Sequence, residues 1–170
     1  MSIDHNSSVT AQEQDDQLGI LQRRRIEANI IAPIYRIMVR EIGQERAAAI
    51  IEEAITEDAR KAGARFAASE PNGASLRTFI AIQELWEKDD ALITETLVET
   101  DDEFTYKVHR CAYAEMYKDM GLADIGKLLS CTRDYEFIAG YDPSIELTRT
   151  QTVMEGATHC DFRYARKADA

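Results

Sequence analysis

The chain has 170 residues, 45% of them hydrophobic and 30% charged, with a formal net charge of −11. That length supports one domain with a real core, and the acidity argues against a nucleic-acid binder, whose phosphate contacts need a basic surface. No apolar run approaches the roughly 18 residues of a membrane span.

Residues 1–17 are rich in Ser, Asn, Gln and Asp and carry no apolar h-region. They read as a disordered tail rather than a secretory signal. Residues 18–170 read as a single domain. With an odd number of cysteines and no suggestion of a disulfide framework, the expected setting is a reducing cytoplasm and the expected state is free thiols.

From Leu18 the pattern turns helical: Ile20, Leu21, Ile26, Ile30, Ile34, Ile37 and Met38 recur near a 3.6-residue period. Pro33 predicts a kink or break near Ile30. Gly43 punctuates, and Ala47, Ile50, Ile51, Ala54, Ala62 and Phe66 mark a second, alanine-rich helix over roughly Gln44 to Ala68. Glu70-Pro71-Asn72-Gly73 is a turn. Ser75 caps a third helix carrying Leu76, Phe79, Ile80 and Trp86.

Leu92 to Thr100 then reads as a strand, Asp101-Asp102 as its turn, and Phe104, Tyr106 and Val108 as one face of the returning strand. Cys111 to Ser130 returns to helix, broken near Gly121. Ile145 to Val153 forms a third strand with Leu147, Arg149, Gln151 and Val153 on one face. After a turn at Gly156 comes a fourth, with Cys160, Phe162 and Tyr164 sharing one face. The order predicts an α+β fold: N-terminal helices packed against a four-stranded antiparallel sheet, with a helical segment between two hairpins.

The cysteines fall only in the last third, at Cys111, Cys131 and Cys160, each beside His, Asp or Arg. The array Arg110-Cys111, Cys131-Thr132-Arg133-Asp134, Arg149-Thr150-Gln151-Thr152 and Gly156-Ala157-Thr158-His159-Cys160-Asp161-Phe162 resembles the L-2-amino-thiazoline-4-carboxylic acid hydrolase family. The Arg23-Arg24-Arg25 run before a long helix and the alanine-rich helix after Gly43 also look like this family. The closing Gly-x-x-x-Cys-x-Phe is similar, too, to small ligand-binding modules of the vinyl-reductase and vesicle-tethering type. The resemblance implies hydrolysis of a C–N or C–S bond in a small heterocycle of thiazoline, lactam, cyclic amidine or cyclic urea type.

Such hydrolysis needs a nucleophile, a proton carrier and a means of stabilising charge at the attacked carbon. Cys131 and Asp134, placed at a helix-to-loop transition, are candidates for thiol and base; a buried Cys beside a solvent Asp is the structural alternative. Cys111, at the start of a helix, would have its thiol pKa depressed there, or simply cap the core. Cys160 among aromatics reads first as packing. Arg149 on an apolar face must be paired: it either grips a substrate anion or pairs with Asp134. His109 and His159 read as rim residues and Tyr135 as a pocket wall, with Tyr106 and Tyr113. Arg23 to Arg25 beside Glu27 read as a solvated helix face. No close Cys pair suggests a zinc site, so neither metal nor cofactor is expected. The expected partner is a small heterocyclic substrate, with homo-oligomerisation open to any exposed helical face. The competing reading is a non-catalytic ligand-binding or dimerisation module of the same fold.

Overall fold

In the computed structural model, residues 18–167 are described; the expected tail, residues 1–17, lies outside them. Helix α1 (Ile20–Ile42) buries Ala28, Ala32 and Tyr35 on one face. It runs without a break through Pro33, contrary to the expected interruption. The carbonyl that loses its donor is that of Asn29, four residues back, and both Asn29 and Pro33 are exposed, so water can serve the orphaned oxygen. Gly43, at a φ of 82°, turns the chain into α2 (Gln44–Ser69), a conformation that glycine adopts without strain.

Along α2, Ala47, Ile51, Ile55, Ala59 and Gly63 are buried at every fourth position, which lays a narrow apolar line along one face. Ser75 caps α3 (Leu76–Ala81) through a capping box: Thr78 N donates to Ser75 Oγ at 3.2 Å, and Ser75 N donates to Thr78 Oγ1 at 2.9 Å. This helix is shorter than expected, and Trp86 sits in a separate turn, α4 (Glu84–Glu87).

Strands β1 (Leu92–Glu99), β2 (Glu103–Cys111), β3 (Ile145–Thr148) and β4 (Cys160–Arg166) form one antiparallel sheet in the order β1-β2-β4-β3. The register pairs Tyr106 with Phe162 and Leu147 with Tyr164. The buried face carries Phe104, Tyr106, Val108, Cys160, Phe162 and Tyr164, as the alternation predicted. The third strand stops at Thr148 instead of reaching Val153. Past it, Asp161 accepts from the backbone N–H groups of Thr150 and Gln151 at 3.0 and 2.8 Å, which takes those donors away from the ladder. Val153 to Glu155 form a 3₁₀ turn capped by Thr152.

Between the hairpins, α5 (Ala112–Asp119) ends before Gly121, whose φ is 69°. A π-helical turn (Lys127–Cys131) follows and leads directly into α6 (Thr132–Tyr141). The sequence reading ended its helix at Ser130 and placed Cys131 and Asp134 at a transition to loop; they stand instead within continuous helical backbone.

The most extensive helix–helix contact is between α2 and α6. Gly63 lies against the backbone of Phe137 and Tyr141, and Gly140 against the backbone of Arg60. A Cβ at either position would strike a carbonyl oxygen of the opposite helix, which has no side-chain freedom to yield. Gly63→Ala and Gly140→Ala should therefore each cost at least about 3 kcal/mol, the severe end of overpacking. Thermal denaturation of the two variants checks this, with Ala64→Gly on the exposed side of α2 as a milder comparison.

Candidate active site

One core cluster lies among α1, α2, α5 and the π turn, and a second lies between the sheet and α3 and α6. Residues of both line a cavity of about 750 Å³. Cys111, Cys131, Cys160, Asp134 and Arg149 all face this space. Residues far apart in sequence thus share one chamber.

The sheet supplies an aromatic wall. Tyr106 and Phe162 stack with centroids 4.8 Å apart and planes 4° from parallel. Phe137 of α6 and Trp86 of α4 meet edge to face at 5.2 Å, as such rings prefer. The π turn and α6 supply the polar side. Ser130, Cys131, Arg133, Asp134 and Phe137 all line the cavity. The widened turn lies at the start of this run, a placement often found at functional sites.

Arg149 leaves the loop after β3 and is buried, its side chain only 3% exposed. Its Nη1 donates to Asp134 Oδ2 at 2.6 Å and its Nη2 to the Cys131 carbonyl at 2.9 Å. Its guanidinium also lies 4.8 Å from the centre of the Phe162 ring, within cation–π range. Of the two sequence alternatives for Arg149, pairing with Asp134 is the one present.

Asp134 lies deep in the molecule, yet its side chain keeps 26% exposure and lines the cavity. Burial pushes its carboxyl above the ordinary aspartate value of 3.8, against the downward pull of Arg149. Burial alone would lower Arg149, but the charge and hydrogen bond of Asp134, together with Cys131 and Tyr135, outweigh it and the guanidinium stays protonated. Each charge thus favours the other's ionised form, while burial leaves the carboxyl readier than most to accept a proton. Among the described residues, Asp134 Oδ1 takes no hydrogen bond.

A second charged group closes the helical side. Arg133, with an 8% exposed side chain, donates to Asp58 at 2.8 Å, to Glu27 at 3.0 Å and from Nε to the Leu129 carbonyl at 2.9 Å. Glu27 also binds Arg24 at 2.7 Å. The run Arg23–Arg25 with Glu27, read as a solvated face, therefore includes two residues that bind inward, and Arg24, Glu27 and Arg133 line the cavity. The sequence offered no signal for this: Glu27 and Arg133 meet across most of the chain.

The thiols are all pushed up. Burial raises Cys111 to about 11. The backbone N–H groups of Tyr113 and Ala114 at the start of α5 pull it down, but less, so the expected depression at the helix N-terminus does not occur. Burial raises Cys131 further, assisted by the Asp134 charge. Cys160 is raised by burial as well, and its Sγ accepts from Val153 N at 3.2 Å.

His109, His159 and Tyr135 do not reach the cavity. His109 pairs with Glu95 at 2.8 Å on the outer face of the sheet. His159 meets the Gln151 amide at 3.0 Å. Tyr135 lines a smaller polar hollow of about 390 Å³, on the other side of Arg149. Tyr106 and Tyr113 do line the cavity. Among the described residues no group of three or more His, Cys, Asp or Glu is placed to hold a metal ion, and no helix is long and apolar enough to cross a membrane.

All three cysteines are free. With thiols raised in this way, little thiolate exists near neutral pH. Alkylation of the native protein should therefore be slow, whereas the denatured, unreduced protein should take up three labels per chain. Mass spectrometry of iodoacetamide-treated samples reads both, and rapid single labelling of native Cys131 would contradict the burial argument.

A family model described as L-2-amino-thiazoline-4-carboxylic acid hydrolase matches residues 23–164, and the chain belongs to that family. No curated protein sequence matches the chain. Among solved structures, the chain is similar to the phenol-responsive sensory domain of the transcription activator PoxR, determined with phenol. The TM-score is 0.52 at 12% identity, over 82% of this chain and 73% of that one. At that identity the likeness is one of fold.

Proposed function

We propose that this member of the L-2-amino-thiazoline-4-carboxylic acid hydrolase family opens a small nitrogen heterocycle of thiazoline, lactam, cyclic amidine or cyclic urea type inside the cavity. The observation that carries the reading is Asp134: a deep carboxylate, raised by burial, held by Arg149 through one oxygen and lining an aromatic chamber. The chamber's volume is in the range of small-molecule sites, and its lining is largely aromatic, as such sites usually are.

In this scheme Asp134 takes a proton from water as the water oxygen bonds to the ring carbon between the heteroatoms. A tetrahedral centre forms, the ring C–N or C–S bond breaks, and the proton held by Asp134 passes to the departing nitrogen or sulfur. Oxygen is gained by the carbon, no electrons are exchanged, and the carboxylate is regenerated. Water is preferred to Cys131 as the nucleophile, because the thiol stays protonated beside the Asp134 charge. Arg149 is a positioning residue: its charge is already answered by Asp134 and the Cys131 carbonyl, so it orients the base rather than gripping a substrate anion.

The second reading is a non-catalytic small-ligand module. The likeness to a sensory domain determined with phenol supports it, as do three protonated thiols in an aromatic chamber.

Turnover of a panel of such heterocycles by the purified chain separates the two. Asp134→Asn should lower the rate by about 10²–10⁴, while Cys131→Ala should leave most of it. The reverse pattern would make Cys131 the nucleophile. Tight binding of a panel member with no turnover would favour the ligand module.

The base must be deprotonated to work. The rate should therefore rise with pH along an acid limb centred above the ordinary aspartate value of 3.8, and Asp134→Asn should remove that limb. A rate–pH profile of both proteins checks the sign.

A further inference from the structure

Helix α1 carries two apolar faces. One, with Ala28, Ala32 and Tyr35, is in the core. The other holds Ile26, Ile30, Ile34 and Ile37, which are 52%, 60%, 49% and 50% exposed. At 100° per residue these four isoleucines fall within about 80° of arc, opposite the buried face. Their 4-4-3 spacing is that of a helix–helix seam, and a helix apolar on both sides is ordinarily covered on both.

We propose that two copies of this chain pair through this face of α1, antiparallel about a two-fold axis at the level of Ala32 and Pro33. The isoleucines match in either direction, and the charges at the ends of the stripe select this one. Reversal about this point sets Ile30 against Ile34 of the other copy, and Ile26 beside Ile37 of the other copy. It also sets the basic end of the stripe, with Arg23 and Arg25, beside the far end of the other copy, twice over by symmetry. Arg25 comes opposite the Arg40–Glu41 ion pair of the other copy, which has no net charge. A parallel pair would instead stack the two basic ends on each other. Residues 1–17 make a poor cover for the stripe, since only Met1, Ile3, Val9 and Ala11 among them are apolar. One helix pair is a small interface, so the dimer is a reversible, concentration-dependent one.

The test is sedimentation equilibrium of the full chain over a range of concentrations, with circular dichroism to confirm folding. Wild type should show a monomer–dimer equilibrium. Ile30→Asp and Ile34→Lys should each weaken it at least about tenfold, as expected for a central apolar contact. Mixing the two variants should restore a heterodimer. The carboxylate introduced in one copy then faces the ammonium introduced in the other, while an Ile–Ile contact survives on the opposite side of the axis. Leu97→Asp, on the exposed surface of β1, should leave dimerisation unchanged. A wild type that stays monomeric overturns the proposal. So does a dimer that survives both α1 substitutions, or one that Leu97→Asp alone dissolves. Loss in both variants without recovery on mixing overturns the antiparallel register.

Discussion

The contact of α2 with α6 at backbone distance, through Gly63 and Gly140, is the constraint on which the site depends. Two helices with side chains at both positions could not approach so closely, and α6 would ride farther from α2. The same helix carries Arg133, Asp134 and Phe137 toward the cavity. Its distance from α2 therefore sets whether Arg133 reaches Asp58 and Glu27, and whether Asp134 meets the Arg149 guanidinium. Gly63 and Gly140 close-pack the helical layer and also fix the depth of Asp134.

Charges so placed are expensive. Taking ions out of water costs several kcal/mol each, and attraction returns that only with good geometry. Here the geometry is present: each buried guanidinium also donates to a helix carbonyl, Arg133 to Leu129 and Arg149 to Cys131. Both carbonyls belong to the π turn, and each carbonyl oxygen has two lone pairs to offer. The irregular turn and the buried cations answer each other. The nearby thiols gain no comparable partner and remain neutral.

Much of the architecture was legible in the sequence because it depends on local periodicity. The alternations at Phe104–His109 and Cys160–Ala165 gave the sheet, and the alanine-rich run after Gly43 gave α2. Helix α6 was not legible, since its first turn places two charged residues, Arg133 and Asp134, where an apolar pattern would be expected, and Gly140 stands near its end. Arg149 was rightly singled out as a charge in apolar company, although the strand that was to hold it ends one residue earlier. The inward roles of Arg24 and Glu27 could not be read, because a charge cluster on a helix has the same sequence whether it faces water or a distant arginine. Cys111 shows the opposite failure: a correct local rule about helix N-termini, outweighed by burial that only the tertiary structure creates.

Asp161 ties β4 to the loop beyond β3. Burial alone would raise its carboxyl, but hydrogen bonds from Thr150 and Gln151 outweigh that and hold it below the usual aspartate range. It stays ionised, and so it keeps hold of the loop that begins with Arg149. The Asp134–Arg149 pair thus hangs from a helix and a clamped loop, while the shape of the chamber is drawn by side chains on β2 and β4. The two can diverge separately. Changes at Tyr106, Phe162 or Tyr164 would recut the chamber without moving the Asp134 carboxylate, so its shape and its charge can vary independently.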